Sequence, residues 1–269
     1  MDENERRTSS SRAGMSPRIA ESIASDLRKR ILRSDETDVP LPRQEDLLRQ
    51  YGVSGPSLRE ALRILEAEGL ITVRRGKFGG AFVHKPSWSQ AAYSLALSMQ
   101  GQGVTIADLG QSLLSLEPMC AASCAGREDR GEVLVPALKE NLALTETHID
   151  DGAEYSRAAR TFHDILVTGV ENRTTQLLVR SMVAIWSVQE EIWADAVNSA
   201  AQYPSAEEQK ESLKTHARIL KLIEAGDVSG VTKLAAAHLR ATQEIVLARF
   251  GDEIVDASSL AAVQTFKRL

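Results

Sequence analysis

Three histidines are the first residues in this chain whose type and spacing could do chemistry: His163 in RTFHDIL, His216 in LKTHARIL and His238 in LAAAHLRA. Each shares a helical apolar stripe, His163 with Leu166, Val167 and Val170, His216 with Leu213, Leu220 and Ile223, and His238 with Leu234 and Ile245, so all three are expected to point inward. A lone inward histidine is ordinarily a satisfied core residue. Three on separate helices of one bundle favour a metal site, because neutral imidazoles are good ligands for zinc, nickel and similar divalent ions. A second constellation is basic. Arg59 and Arg63 stand one turn apart on a polar helical face with Ser57 and Glu60, and Arg74, Arg75 and Lys77 surround Gly76. An arginine fork donates bidentately to O6 and N7 of guanine, and the serines at the helix start, Ser54 and Ser57, donate to phosphate or to a base edge. The alternative is an ordinary solvated face in which Arg63 pairs with Glu60 or Glu66.

The cysteines offer less. Cys120 and Cys124 are the only two, four residues apart among alanines on one helical face, and read as buried small apolar residues. A metal pair or thiol switch is the competing reading, but no second cysteine pair completes a thiolate zinc site. Two unpaired thiols fit a reducing cytoplasm.

The elements that must position these groups are mostly helical. The chain has 269 residues, 43% hydrophobic and only 4% aromatic, which is enough for two domains. Residues 1–16, MDENERRTSSSRAGMS, lack both a signal-peptide core and packing residues and are expected to be a disordered tail. No apolar run approaches the ~20 residues needed to cross a bilayer, so a membrane association is not expected. From Pro17 to Arg33, Ile19, Ile23, Leu27 and Ile31 recur every fourth residue and predict a helix. A short helix follows from Gln44 to Tyr51, stopped by Gly52, and a third begins after Ser54 as its N-cap, with Leu58, Ala61, Leu62 and Leu65 on one face and Gly69 at its end. The period then becomes two: Leu70–Arg75 and Ala81–Val83 flank a glycine-rich tip and predict a β-hairpin.

That order is a winged helix-turn-helix at residues 17–85, three helices and a hairpin. A linker is expected at 86–90 and an all-helical domain at 91–250, an antiparallel bundle of about seven helices near 88–100, 105–125, 132–150, 153–171, 174–198, 206–225 and 228–250. Residues 251–269 are expected as a C-terminal tail, frayed or forming a short extra helix. Charge follows the same division. Residues 1–85 hold 16 Lys and Arg against 13 Asp and Glu, whereas 86–269 hold 16 against 24. The first part therefore suits a polyanionic partner and the second does not.

The segment LPRQEDLLRQYGVSGPSLREALRILEAEGLITVRRGKFGGAFV resembles the DNA-binding domain of the GntR family of bacterial regulators. Val53-Ser54, the Leu58-Arg59-Glu60-Ala61-Leu62 block, Glu68-Gly69-Leu70-Ile71 and Arg75-Gly76 carry the resemblance, and the helical remainder looks like the sensor domain of the family's FadR-type branch. The resemblance implies DNA contacts at Ser54, Ser57, Arg59, Arg75 and Gly76. Gly55 and Glu45 stand where the family usually has arginines, and Arg43 is placed to compensate for the second. It further implies that His163, His216 and His238 hold one divalent metal, zinc or nickel-like. Ala159 occupies the place of the family's aspartate, and Leu113 the place of an arginine ahead of Glu117.

The expected function is that of a cytoplasmic, ligand-responsive repressor, a homodimer on a palindromic double-stranded DNA operator, with a small-molecule effector whose identity the sequence does not give. It is not expected to be an enzyme. A metal-dependent hydrolase using Asp164 or Glu117 as base is the alternative, and it is weak because Asp164 follows His163 directly and is turned about 100° from it on a helix.

Overall fold

The computed structural model describes residues 3–76, 79–197 and 205–268, with side chains described from Arg18 onward except at 152, 153, 193–197 and 245. Lys77 and the side chains of the expected tail 1–16 lie outside the described residues, whereas the backbone from Glu3, expected as a disordered tail as far as residue 16, belongs to the first helix. The chain separates into two compact units, Met1–Ser87 and Trp88–Leu269.

The first unit contains α1 (Glu3–Arg33), α2 (Gln44–Tyr51) and α3 (Gly55–Ala67), then the antiparallel strands β1 (Ile71–Arg74) and β2 (Gly80–Val83), paired from Ile71↔Val83 to Arg74↔Gly80. α2 ends at Gly52, whose φ of 62° is a left-handed conformation that glycine adopts without a Cβ penalty. The apolar stripe of α3, Leu58, Ala61 and Leu65, is fully buried with Ala20, Ile23, Ala24, Leu27 and Ile31 of α1. Each such leucine contributes about 1.5–3 kcal/mol of burial free energy. Ile19, expected on the same stripe, is 37% exposed, and Ala20 takes its place. Residues repeating every four drift about 40° per step around a helix, so three steps carry Ile19 off the face that Ile31 occupies. Arg28 donates to Glu68 through Nε at 2.7 Å and Nη2 at 2.5 Å, fastening α1 to the end of α3. The stretch before α2 covers the free edge of β2: Asp38 N donates to Val83 O at 2.8 Å and Leu41 N to Ala81 O at 2.7 Å.

The second unit is helical: α4 (Trp88–Gly101), α5 (Ile106–Gly126), α6 (Arg130–Val133), α7 (Val135–Thr147), α8 (Gly152–Thr168), α9 (Arg173–Val197), α10 (Ala206–Ala225), α11 (Val228–Phe250) and α12 (Leu260–Arg268). Capping boxes start α5 (Thr105 with Asp108) and α10 (Ser205 with Glu208). α5 runs through the middle. Its first turns bury Ile106, Leu109 and Leu113 with residues of α4, α9, α11 and α12, and its last turns bury Ala121, Cys124 and Ala125 with residues of α7, α8, α10 and α11.

Two differences from expectation have local causes. The single helix expected at 132–150 is two, because Pro136 lacks an N–H and disfavours continuous helix through the residue before it, so the chain re-enters at α7 with the proline in its first turn. The expected C-terminal tail carries the short extra helix, α12, and residues 251–268 form part of the core and do not fray. Ile106 N donates to Glu253 O at 2.8 Å and Val255 N to Val104 O at 3.0 Å, and Val255, Ala257, Ala262 and Phe266 are buried with Ile106, Leu109 and Leu113 of α5.

Candidate DNA-reading face and metal centre

In the first unit the exposed side of α3 carries Pro56, Arg59, Glu60 and Arg63. Arg63 Nη1 donates to Glu60 Oε2 at 3.0 Å, with the two side chains 75% and 51% exposed. A surface pair of that kind is worth at most about 1 kcal/mol, so the guanidinium is readily redirected to another acceptor. A Cβ at residue 55 would lie 3.3 Å from Arg59 Nη1, tighter than ordinary contact. Gly55 therefore leaves room for the Arg59 guanidinium to lie back over the start of the helix. Ser54 occupies the N-cap with extended backbone but makes no side-chain cap bond, and its Oγ sits 3.2 Å from Ser57 Oγ.

Ser57 corrects the sequence reading. It is 6% exposed and belongs to the inward face, because it precedes Ala61 and Leu65 by one and two turns. It can orient Ser54 but does not stand in the outward row. On the wing, Arg74 lays its guanidinium over the Phe82 ring, 4.3 Å from the centroid, while Arg75 is exposed and Gly76 takes a φ of 109°. Gly79 N closes the tip by donating to Gly76 O at 2.8 Å. Arg43 is exposed at the N-cap of α2. Arg43, Arg59, Arg63, Arg74 and Arg75 thus all present cations to solvent from one unit.

In the second unit α8, α10 and α11 bring His163, His216 and His238 together, with one nitrogen from each within 4.8 Å of the others. His216 Nε2 lies 2.9 Å from His238 Nε2, and His163 Nδ1 lies 3.0 Å from Glu117 Oε2 of α5. The rings hold one another: Phe162 stacks on His216 at 4.2 Å and 6°, and His163 stacks on His238 at 5.5 Å and 9°. Burial, followed by the neighbouring His163, pushes His216 well below the usual histidine range and His238 down to about 3. Both are neutral at pH 7, with lone pairs for a cation.

This donor set fits a divalent ion. Neutral imidazoles are good ligands for zinc, nickel and similar divalent ions, and one nitrogen from each of the three lies close enough to the others to share one ion. His216 Nδ1 is buried without a hydrogen-bond partner, so the polar pocket is not self-satisfied. A cavity of about 10 Å³, room for one water-sized body, is lined by Glu117, Ala121, His163, Ile219, Ala235 and Leu239. Ala159, one turn before His163, offers no oxygen.

The neighbouring carboxylates are committed elsewhere. Asp164 accepts from Arg180 Nε at 3.0 Å and Nη2 at 3.2 Å, and the Arg180 guanidinium lies 4.1 Å from the centre of the Trp88 ring. This removes Asp164 as a base beside the histidines. Glu190 accepts from Trp186 Nε1 at 2.8 Å and Arg160 Nη1 at 3.3 Å, and burial raises its pKa against the opposing pull of Arg160. The sequence placed Glu117 beside the histidines only as one of two alternative bases and did not give its direct pairing with His163. The available signal was a glutamate standing among the buried positions Leu113, Cys120 and Cys124 of α5. Burial pushes both cysteine thiols up to about 12, so neither is a thiolate ligand at neutral pH.

Residues 17–83 match the family model of bacterial regulatory proteins, gntR family, and residues 108–241 match that of the FCD domain. The chain is 27% identical to a candidate L-lactate dehydrogenase operon regulatory protein of Escherichia coli (strain K12), over 82% of this chain and 84% of that protein. It is 26% identical to the HTH-type transcriptional repressor NanR of Edwardsiella tarda (strain FL6-60), over 88% and 86%. Among solved structures, Streptococcus agalactiae GntR matches with a TM-score of 0.58 at 20% identity, covering 84% of this chain and 99% of that one. This likeness carries the fold.

Proposed function

The chain belongs to the GntR family of bacterial regulatory proteins, with an FCD domain behind its DNA-binding unit, and we propose that it is a cytoplasmic repressor acting as a homodimer on a palindromic operator. The observation that carries this reading is the exposed row Arg59 and Arg63 on α3 with Arg74 and Arg75 on the adjoining wing. A helix of that kind enters a major groove with its arginines toward base edges, and a slim basic wing reaches the backbone or the minor groove. Ser54 and Arg43 supply phosphate contacts that fix the register. Two copies related by a two-fold axis would read two half-sites.

The FCD unit is the sensor. His163, His216 and His238 would hold one zinc-like or nickel-like ion, and that ion, when bound, supplies a Lewis-acidic position for an oxygen of a small-molecule effector. Leu113, buried where an arginine would otherwise face Glu117, argues against an effector held through a carboxylate–arginine pair. Effector occupancy then biases the spacing or freedom of the reading heads. Selection from a pool of randomised duplexes tests the reading: the full chain should enrich an inverted repeat. Retention of all sequences alike would refute it.

A further inference from the structure

We propose that Glu117 is the positioning residue of the three-histidine site, and that its carboxylate, supplied from α5, does for this site what the side chain at Ala159 cannot. The inference rests on the metal reading above and specifies which protein group sets it up.

A carboxylate accepts hydrogen bonds and donates none, so the 3.0 Å contact between Glu117 Oε2 and His163 Nδ1 requires the proton on Nδ1. In the neutral ring the lone pair then lies at Nε2, and His163 has one tautomer with one ligating atom. The bond is shielded, since the His163 side chain is 20% exposed and that of Glu117 11%. Within that setting a charge-assisted hydrogen bond is stronger than its neutral counterpart. Among the described residues the ring also makes edge or stacking contacts with His216, His238 and Phe162, which hold its plane but do not choose between its two nitrogens. Glu117 makes that choice.

Charge gives a second reason. Three imidazoles leave a divalent ion with its full charge, and Ala159 contributes no oxygen. A carboxylate hydrogen-bonded to the far side of a ligating imidazole raises that ligand's basicity and offsets part of the charge. The nearby Glu190 is held by Trp186 and Arg160, and Asp164 by Arg180, so Glu117 is the carboxylate directed at this cluster among the described residues. It also lines the small cavity with His163.

The test uses the full chain stripped of metal and titrated with Zn²⁺ against a chelator of known affinity, with Co²⁺ as a spectroscopic probe. Wild type should bind one ion per chain, and His216→Ala should abolish binding. Glu117→Gln should bind about 10–100-fold more weakly, with a shifted Co²⁺ spectrum and an unchanged melting temperature without metal. Glu117→Asp should recover part of the loss. Equal affinity and identical spectra for wild type and Glu117→Gln would overturn the proposal while leaving the metal reading standing. A wild type that binds no ion would overturn both. Should Glu117→Gln fail to fold, long-range ¹H–¹⁵N spectra of metal-free wild type decide the matter, with His163 identified by its loss in His163→Gln. The Nδ1–H tautomer supports the proposal and the Nε2–H tautomer overturns it.

Discussion

Arg59 and Arg63 illustrate how much of the site follows from residue type and spacing alone. Their separation of four placed them on one exposed face, and the structure leaves them there. Arg59→Ala should lower affinity for the selected operator by about 1–3 kcal/mol while changing affinity for random DNA far less, as measured by fluorescence anisotropy. Equal losses on both DNAs would deny it a base-reading role. Ser57 shows where spacing misleads: one residue of rotation, about 100°, separates the outward row from the face shared with Ala61 and Leu65. The histidines were legible because each interrupts an apolar stripe. Glu117 was legible only as one of two alternative bases beside them, and its hydrogen bond to His163 was not, since it lies 46 residues from His163 in sequence and only packing brings the two together. His216 and His238 carry a stability consequence. Their folded pKa values lie below the unfolded value of about 6.5, so their contribution is complete above that pH and is lost as the pH falls, toward about 3 for His238. Metal-free protein should lose up to about 2 kcal/mol per histidine between pH 6.5 and about pH 5, read from urea midpoints. A flat profile over that range would contradict their neutral burial.

At the scale of elements, period and punctuation located most helices within a few residues. α2 coincides with its expected range because Gly52 and the preceding prolines punctuate it. The break between α6 and α7 is also written locally, in Pro136, although the apolar run across it reads as continuous. The fate of residues 251–269 was harder to read. Their helix is short, and its place is fixed by distant groups: Gln189 Nε2 donates to Asp256 O and Gln189 Oε1 accepts from Asp256 N, both at 2.9 Å, while Phe266 meets Tyr93 with ring centres 5.3 Å apart. Phe266→Ala should therefore destabilise the protein by about 3–5 kcal/mol in chemical denaturation. A loss below 1 kcal/mol would show that α12 is an appendage.

For the whole molecule, the division of charge along the chain and the division into two compact units agree. The unit with surplus cations carries the winged helix, and the acidic unit carries the buried histidines. No helix among the described residues is long and apolar enough to cross a membrane. The central claim is that the first unit reads sequence and does not merely attract phosphate. Its most direct test is a salt titration of the full chain on the selected operator and on random duplex DNA. The account predicts that affinity for both falls as salt rises, while the operator keeps a surplus of at least about 10³-fold at physiological salt. Two curves that coincide at every salt concentration would contradict it.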